Sequence, residues 1–184
     1  MNYLIGCGGS ALDALSFLTL KNVVFIDDYK TGTYEGYPII GTTDNLIKMK
    51  IPECAKIYNC IGSAGDNRTR NRIYEKITRA GLKVQPLIMS SFISRNVQIG
   101  ENTLLNIGSQ IHHNSIIGDN TVISPGAIIL GNVKLGNNVF VGAGSVIKQG
   151  LTINDNTIIG MGSVVINDIP HSETWVGNPA KRMW

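Results

Sequence analysis

Side chains that can move a proton, hold a metal or attack a carbonyl are few in these 184 residues. There are three histidines, of which His112 and His113 are adjacent and His171 stands far downstream, where a structural role is expected. Histidine titrates closest to neutrality, so an exposed one is suited to take a proton from an incoming nucleophile. Two neighbouring positions rarely aim at one ion, and Cys7, Cys54 and Cys60 lack zinc-ligand spacing, so no metal centre is expected. An acidic pair, Asp27 and Asp28, follows the β-branched run Val23 to Ile26, where a carboxylate can accept from a ribose hydroxyl or a base edge. Glycines cluster at Gly6-Cys7-Gly8-Gly9-Ser10 and again around Gly62-Ser63. The first cluster is incomplete as a dinucleotide fingerprint, because Ala11 holds the last glycine slot.

What positions the two histidines is a repeat. Every sixth residue from Ile93 to Val165 is Ile, Leu or Val, a run whose chance probability is on the order of one in a million. A second column, four residues on, runs from Val97 through Thr103, Ser109 and Ser115 to Ser163 and is small or β-branched except at Leu151. Gly, Asn or Asp recur between the columns (Gly100, Asn106, Gly118, Gly136, Gly142, Gly160), and these are read as corners where the chain turns through conformations that β-branched residues resist. A period of six fits neither a helix nor an alternating strand; it fits a solenoid of short strands whose aliphatic column is shared from coil to coil. His113 stands two places after a core position, in the slot that Glu101, Asp119, Asn137 and Asp155 hold elsewhere, so it is expected to face outward.

Residues 1 to 88 have a different pattern. A short run Tyr3 to Ile5, the glycine turn, a helix over Ala11 to Leu20, a strand Val23 to Ile26, a strand Ile57 to Ile61 and a charged helix from Asn67 to Ala80 make a small Rossmann-like unit. The expected organisation is thus an α/β domain over 1–88 and a β-solenoid over 89–184. A 16% charged, 43% apolar chain with 21 glycines is globular, and a net charge of +3 without a block of like charge points to neither nucleic acid nor a membrane surface. The apolar opening lacks a basic n-region, is interrupted by Asp13, and no run reaches about 18 apolar residues, so a cytoplasmic protein with reduced thiols is expected.

The segments LIGCGGSALDAL, VVFIDDY, IGSAGDNRTRNRIYEKI, IHHNSIIGDNTVISPGA and WVGNPAKRMW together resemble the hexapeptide-repeat acyltransferases. Within them the chain is similar to the sialic acid O-acetyltransferases and UDP-4-amino-sugar N-acetyltransferases. The resemblance implies a left-handed parallel β-helix, a homotrimer, acetyl-CoA as donor and a nucleotide sugar, UDP-linked by preference, as acceptor. It implies that His113 is the base, that the Gly131 N–H stabilises the oxyanion, and that Gly142, Gly144, Gly160, Gly162 and the tail from Gly177 to Lys181 line the CoA groove. Gly8, Gly9, Ser10, Asp27, Asp28, Gly62 and Ser63, with His113, would hold the acceptor. Two positions depart from the pattern: Asn114 replaces the Asp or Glu that usually follows the histidine, and Val122 replaces a second histidine that contacts the donor. The expected activity is N-acetylation of a nucleotide-linked 4-amino-6-deoxy sugar. The alternatives are O-acetylation of sialic acid or a related sugar, and a non-catalytic module that binds sugar nucleotide or CoA.

Overall fold

The computed structural model describes residues 1–62 and 67–183. Strands β1 (Asn2–Ile5), β2 (Val23–Ile26), β3 (Gly32–Tyr34), β4 (Tyr37–Ile39) and β5 (Lys56–Asn59) form one sheet in the order β3-β4-β2-β1-β5. It is parallel except for the β3–β4 hairpin. Helices α1 (Gly9–Phe17), α2 (Thr43–Leu46) and α3 (Arg68–Arg79) accompany it. β2 is buried throughout and reads as a continuous apolar run, as a parallel sheet covered on both faces requires. Alternate residues serve opposite faces: Leu4 and Phe25 pack with Ala11 and Ala14 of α1, whereas Ile5 and Ile26 pack with Ile73 and Ile77 of α3. The strand–helix–strand order matches the expectation. Helix α1 stops at Phe17 rather than Leu20, since Leu18 is already extended. The unanticipated hairpin turns through Glu35 and Gly36 at φ +50° and +78°, two consecutive left-handed residues that suit the twist of paired strands.

From Leu87–Ile88 onward the strands shrink to two residues and, from Phe92–Ile93 to Val164–Val165, recur every six. Each of the strands that recur every six pairs in parallel with one 18 residues away, which makes three faces of a parallel β-helix. The first face begins at Phe92–Ile93 and Gln110–Ile111, the second at Gln98–Ile99 and Ile116–Ile117, the third at Leu87–Ile88 and Leu104–Leu105. The inward residues from Leu105 to Val165 form one buried cluster. Hydroxyls of the second column seal the interior: Thr103, Ser115, Thr121 and Ser145 donate to the carbonyls of Gly118, Leu130, Gly136 and Gly160 at 2.8–3.0 Å, which meets the requirement that buried polar groups be bonded.

The corners differ from the expectation. Left-handed φ falls on Asn96, Asn114 and Asn132 at the first corner, on Asn102, Asn120, Asn138 and Asn156 at the second, and on Gly108, Gly126, Gly144 and Gly162 at the third. Asparagine tolerates this region because its short amide bonds locally. Gly100, Gly118, Gly136, Gly142 and Gly160 have no such φ; the first four are glycine because successive coils touch there, and Gly160 because the tail does. A Cβ on Gly118 would lie 2.5 Å from the Gly136 carbonyl carbon, and one on Gly142 2.5 Å from the Met161 nitrogen.

The α/β domain sits on the third face, where the outward side chains Leu104, Val122 and Phe140 are buried in one cluster with Leu4, Ala11 and Phe25. Helix α3 follows the second corner: Asn120 Nδ2 donates to Asn71 Oδ1 at 3.1 Å and Asn67 Nδ2 to the Asn138 carbonyl at 3.5 Å. The tail adds strand Thr174–Val176 beside Ile158–Ile159 and folds back through Lys181–Met183. Among the described residues no helix is long and apolar enough to cross a membrane.

Candidate active site

The first corner carries His113, exposed as expected. Its imidazole lies over Gly131 of the next coil, so that a Cβ on Gly131 would stand 2.5 Å from Nε2 and 2.6 Å from Cε1. Any side chain at position 131 would take the space the ring occupies. Asn132, on the same corner, donates its backbone N–H to the His113 carbonyl at 2.8 Å, which ties the two coils together beneath the ring. No acceptor among the described residues takes the Gly131 N–H, and no hydrogen bond reaches the His113 imidazole. A proton acceptor and an open backbone donor therefore stand side by side.

Asn114 does not act as the partner of that imidazole. At φ +57° it is a corner residue, and its amide is committed along the stack, accepting from Asn96 Nδ2 and donating to Asn132 Oδ1, each at 3.2 Å. His112 leans against Phe92 with ring centroids 5.7 Å apart. His171 is exposed beyond the repeat.

The remaining expected donor-site residues lie at the third corner. Gly142 is explained by coil contact and Gly160 by the tail, since a Cβ there would meet Val176 Cγ1 at 2.7 Å. Gly144 and Gly162 are exposed left-handed corners, at φ +66° and +65°. Lys181 is exposed in the last strand. First and third corners are separated by the whole first face, so one chain does not bring His113 and these glycines together. Val122 is on the third face, opposite the His113 corner and only 1% exposed beneath the α/β domain.

In the α/β domain a cleft of about 190 Å³ opens at the carboxyl ends of β1 and β2, lined by Gly6, Asp27, Asp28, Thr43, Thr69 and Arg72 among others. Ligands of parallel sheets collect at this end of the strands. Asp27 accepts from the Cys7, Tyr29 and Lys30 backbone N–H groups at 2.8–2.9 Å. Burial pushes its carboxyl up, but those donors outweigh burial and hold it below the ordinary carboxylate value. Asp28 accepts from Thr43 N and Oγ1 at 2.8 Å, in the first turn of α2, which Thr42 caps. Gly8, Gly9 and Ser10 do not line the cleft; they open α1 on the adjacent edge, with Gly62 against Ser10, where a Cβ on Gly62 would meet Ser10 Oγ at 2.6 Å. The Cys7 carbonyl accepts from Lys30 Nζ at 2.6 Å and the Gly8 carbonyl from the Tyr34 hydroxyl at 3.0 Å, so the hairpin pins the glycine turn. Ser63 lies outside the described residues. Thr43, Thr69 and Arg72 escaped the sequence reading, because no motif marks them and their elements come together only in the fold.

Two family models match the chain: one described as PglD N-terminal domain, over residues 3–77, and one described as bacterial transferase hexapeptide (six repeats), over 96–131 and 132–167. A search of curated proteins finds no match. Among solved structures, WeeI from Acinetobacter baumannii is 27% identical with a TM-score of 0.80, covering 100% of this chain and 99% of that one. PerB from Caulobacter crescentus, in complex with CoA and GDP-perosamine, is 27% identical with a TM-score of 0.74, covering 100% and 97%. The acetyltransferase domain of PglB from Neisseria gonorrhoeae, in complex with acetyl coenzyme A, is 26% identical with a TM-score of 0.74, covering 99% and 98%. These likenesses run the length of both chains, and the β-helix is the left-handed kind. With each half matched by its own family model and the same pairing of halves in these structures, the chain belongs to the hexapeptide-repeat acetyltransferases that carry a PglD-type N-terminal domain.

Proposed function

We propose that the protein is an acetyl-CoA-dependent N-acetyltransferase acting on a nucleotide-linked 4-amino-6-deoxy sugar, UDP-linked by preference, and that it works as a homotrimer in the cytoplasm. The observation that carries this reading is the placement of His113 Nε2 over Gly131 beside an open backbone N–H. Acetyl-CoA supplies a thioester carbonyl as the electrophile, and glycine at position 131 lets the His113 ring lie directly over the backbone whose N–H would meet that carbonyl. His113 takes the proton that the sugar amine sheds as it attacks, and the Gly131 N–H donates to the oxygen on which charge develops. Collapse breaks the carbon–sulfur bond, so that CoA leaves as the thiol with the proton returned from His113. The cleft with Asp27, Asp28 and Thr43 takes the nucleotide, which supports acceptor selection by the α/β domain.

The two half-sites are on opposite sides of one chain. The α/β domain covers the third face, and His113 projects from the corner between the other two. A second copy must therefore bring its cleft to this corner, and three copies around an axis satisfy every corner in the same way. Subunit mixing tests both points. His113→Ala and a cleft variant such as Asp28→Lys are each expected to be inactive alone, and trimers assembled from both are expected to recover a fraction of wild-type activity with acetyl-CoA and a UDP- or GDP-linked 4-amino sugar. No recovery in proven mixed trimers would place the two half-sites in one subunit. Binding of both ligands without turnover in the wild type would identify a non-catalytic module, and transfer to a hydroxyl acceptor alone would favour the O-acetyl reading.

A further inference from the structure

Arg70 is the largest fully buried side chain, 1% exposed, and among the described residues no carboxylate pairs with it. Burial brings its guanidinium down to about 10, so it remains cationic at neutral pH. An unpaired buried cation is costly unless many acceptors surround it. Here the acceptors come from two domains. Nη1 donates to the Asn59 carbonyl at 2.8 Å and to the Ile61 carbonyl at 2.9 Å, at the end of β5, and Ile61 lines the nucleotide cleft. Nη2 donates to the Asn102 carbonyl and, at 3.1 Å, to Asn102 Oδ1, on the second corner of the β-helix. Among the described residues Nε has no partner, so the side chain has traded one bond for this double reach.

The neighbouring residues show what the reach connects. On one side of α3, Asn67, Arg70 and Asn71, spaced i, i+3, i+4, bond to Asn138, Asn102 and Asn120 of the second corner. Thr69, Arg72 and Ile73 of the same helix line the cleft. The asparagines of that corner are bonded to one another as well: Asn102 Nδ2 donates to Asn120 Oδ1 at 2.5 Å and Asn120 Nδ2 to Asn138 Oδ1 at 2.8 Å. A displacement of α3 therefore moves a cleft wall and breaks a continuous polar seam together.

We propose that Arg70 is a positioning residue, holding the nucleotide cleft in one register on the β-helix and thereby setting where the acceptor amine stands relative to the His113 corner of the adjoining copy. This rests on the acetyl-transfer reading above. Its signature is a loss of turnover without loss of donor binding, because the donor corner lies away from the seam. A misplacement of about 1 Å in a reacting pair can cost on the order of 100-fold in rate.

The test uses the full chain as wild type, Arg70→Met, Arg70→Lys and Asn71→Ala, the last removing one adjacent seam bond without a change of charge. Arg70→Met is expected to lower kcat with acetyl-CoA and a nucleotide-linked 4-amino sugar by roughly 10- to 100-fold, with the Kd for CoA within about twofold of wild type. Arg70→Lys keeps the charge but cannot fork across both sets of acceptors, so it should stay nearer Arg70→Met. Asn71→Ala should lose about two- to fivefold in the same direction, and it decides the matter if Arg70→Met fails to fold. Hydrogen exchange, which needs no acceptor, should show faster exchange at β5, α3 and residues 100–104 while the column from Leu105 to Val165 is unchanged. Unaltered exchange in the seam, wild-type kcat in Arg70→Met or Arg70→Lys, or a loss confined to CoA affinity would each overturn the proposal. A wild type that binds no nucleotide and transfers no acetyl group would instead refute the functional reading, with the exchange measurement still deciding the seam.

Discussion

At the scale of single residues, the site depends on a side chain that is absent. Gly131→Ala would put a Cβ against the His113 ring rather than against backbone, and an exposed ring can swing aside at little cost. The variant is therefore expected to keep its melting temperature within a degree or two yet lose roughly 10- to 100-fold in kcat, since a displaced base no longer reaches the amine. His113→Ala should lower kcat by about 10²- to 10⁴-fold with little change in KM for acetyl-CoA, and His112→Ala, whose ring rests on Phe92, much less. Steady-state kinetics on the three variants checks the set, and full activity in His113→Ala would remove the mechanism. The thiols make a separate case. Burial pushes Cys7 up to about 11 and Cys60 up to about 12, with the Asp27 carboxylate also raising Cys7, whereas Cys54 is exposed. An alkylating reagent at pH 8 should modify Cys54 alone, as counted by mass spectrometry.

At the scale of elements, two kinds of glycine and one kind of asparagine share the corners, and substitution separates them. Gly142→Ala forces a Cβ into the backbone of the next coil, where nothing flexible can yield, and should destabilise the β-helix by about 2 kcal/mol. At Asn114 both Asn114→Gly and Asn114→Val lose the two amide bonds, but glycine accepts the left-handed φ whereas valine adds a penalty of about 1–2 kcal/mol, so Asn114→Val should be the less stable by about that amount. Denaturant midpoints on the three variants test this; a neutral Asn114→Val would show that the corner relaxes. In the α/β domain Asp27 ties the glycine turn to the end of β2. Its folded pKa is depressed, so its contribution is complete above the unfolded carboxylate value near 3.8 and disappears as pH falls through the lower folded value. Melting temperatures of wild type and Asp27→Asn should differ by a constant amount from pH 7 down to about 4 and converge below it.

At the scale of the molecule, a slender β-helix leaves Phe92 and Ile116 exposed on its first and second faces while the third is covered by the α/β domain. Apolar positions on uncovered faces suit contact with further copies of the chain. Light scattering at micromolar concentration should give three times the mass of the 19.9 kDa chain, and a stable monomer would contradict the shared site.

The six-residue column determined the β-helix by itself, because a strict period leaves each inward position a single face to occupy, and the same count placed His113 outside. The 18-residue recurrence of Asn96, Asn114 and Asn132 was equally present in the sequence, but its meaning as a left-handed corner depends on backbone geometry, so Asn114 reads as a substituted carboxylate until its φ and bonds are known. The α/β order was legible from its strands and glycine turns. The cleft was not, since Thr43, Thr69 and Arg72 come from α2 and α3 and meet Asp27 and Asp28 only through packing. Nor was Arg70: one of four arginines in a charged helix, it reads as solvated, and only the tertiary fold, by setting α3 against the second corner, surrounds it with carbonyls from two domains. Periodicity is a local property that side chains carry with them, whereas the pairing of one element with another is a choice among surfaces that only the assembled chain can make.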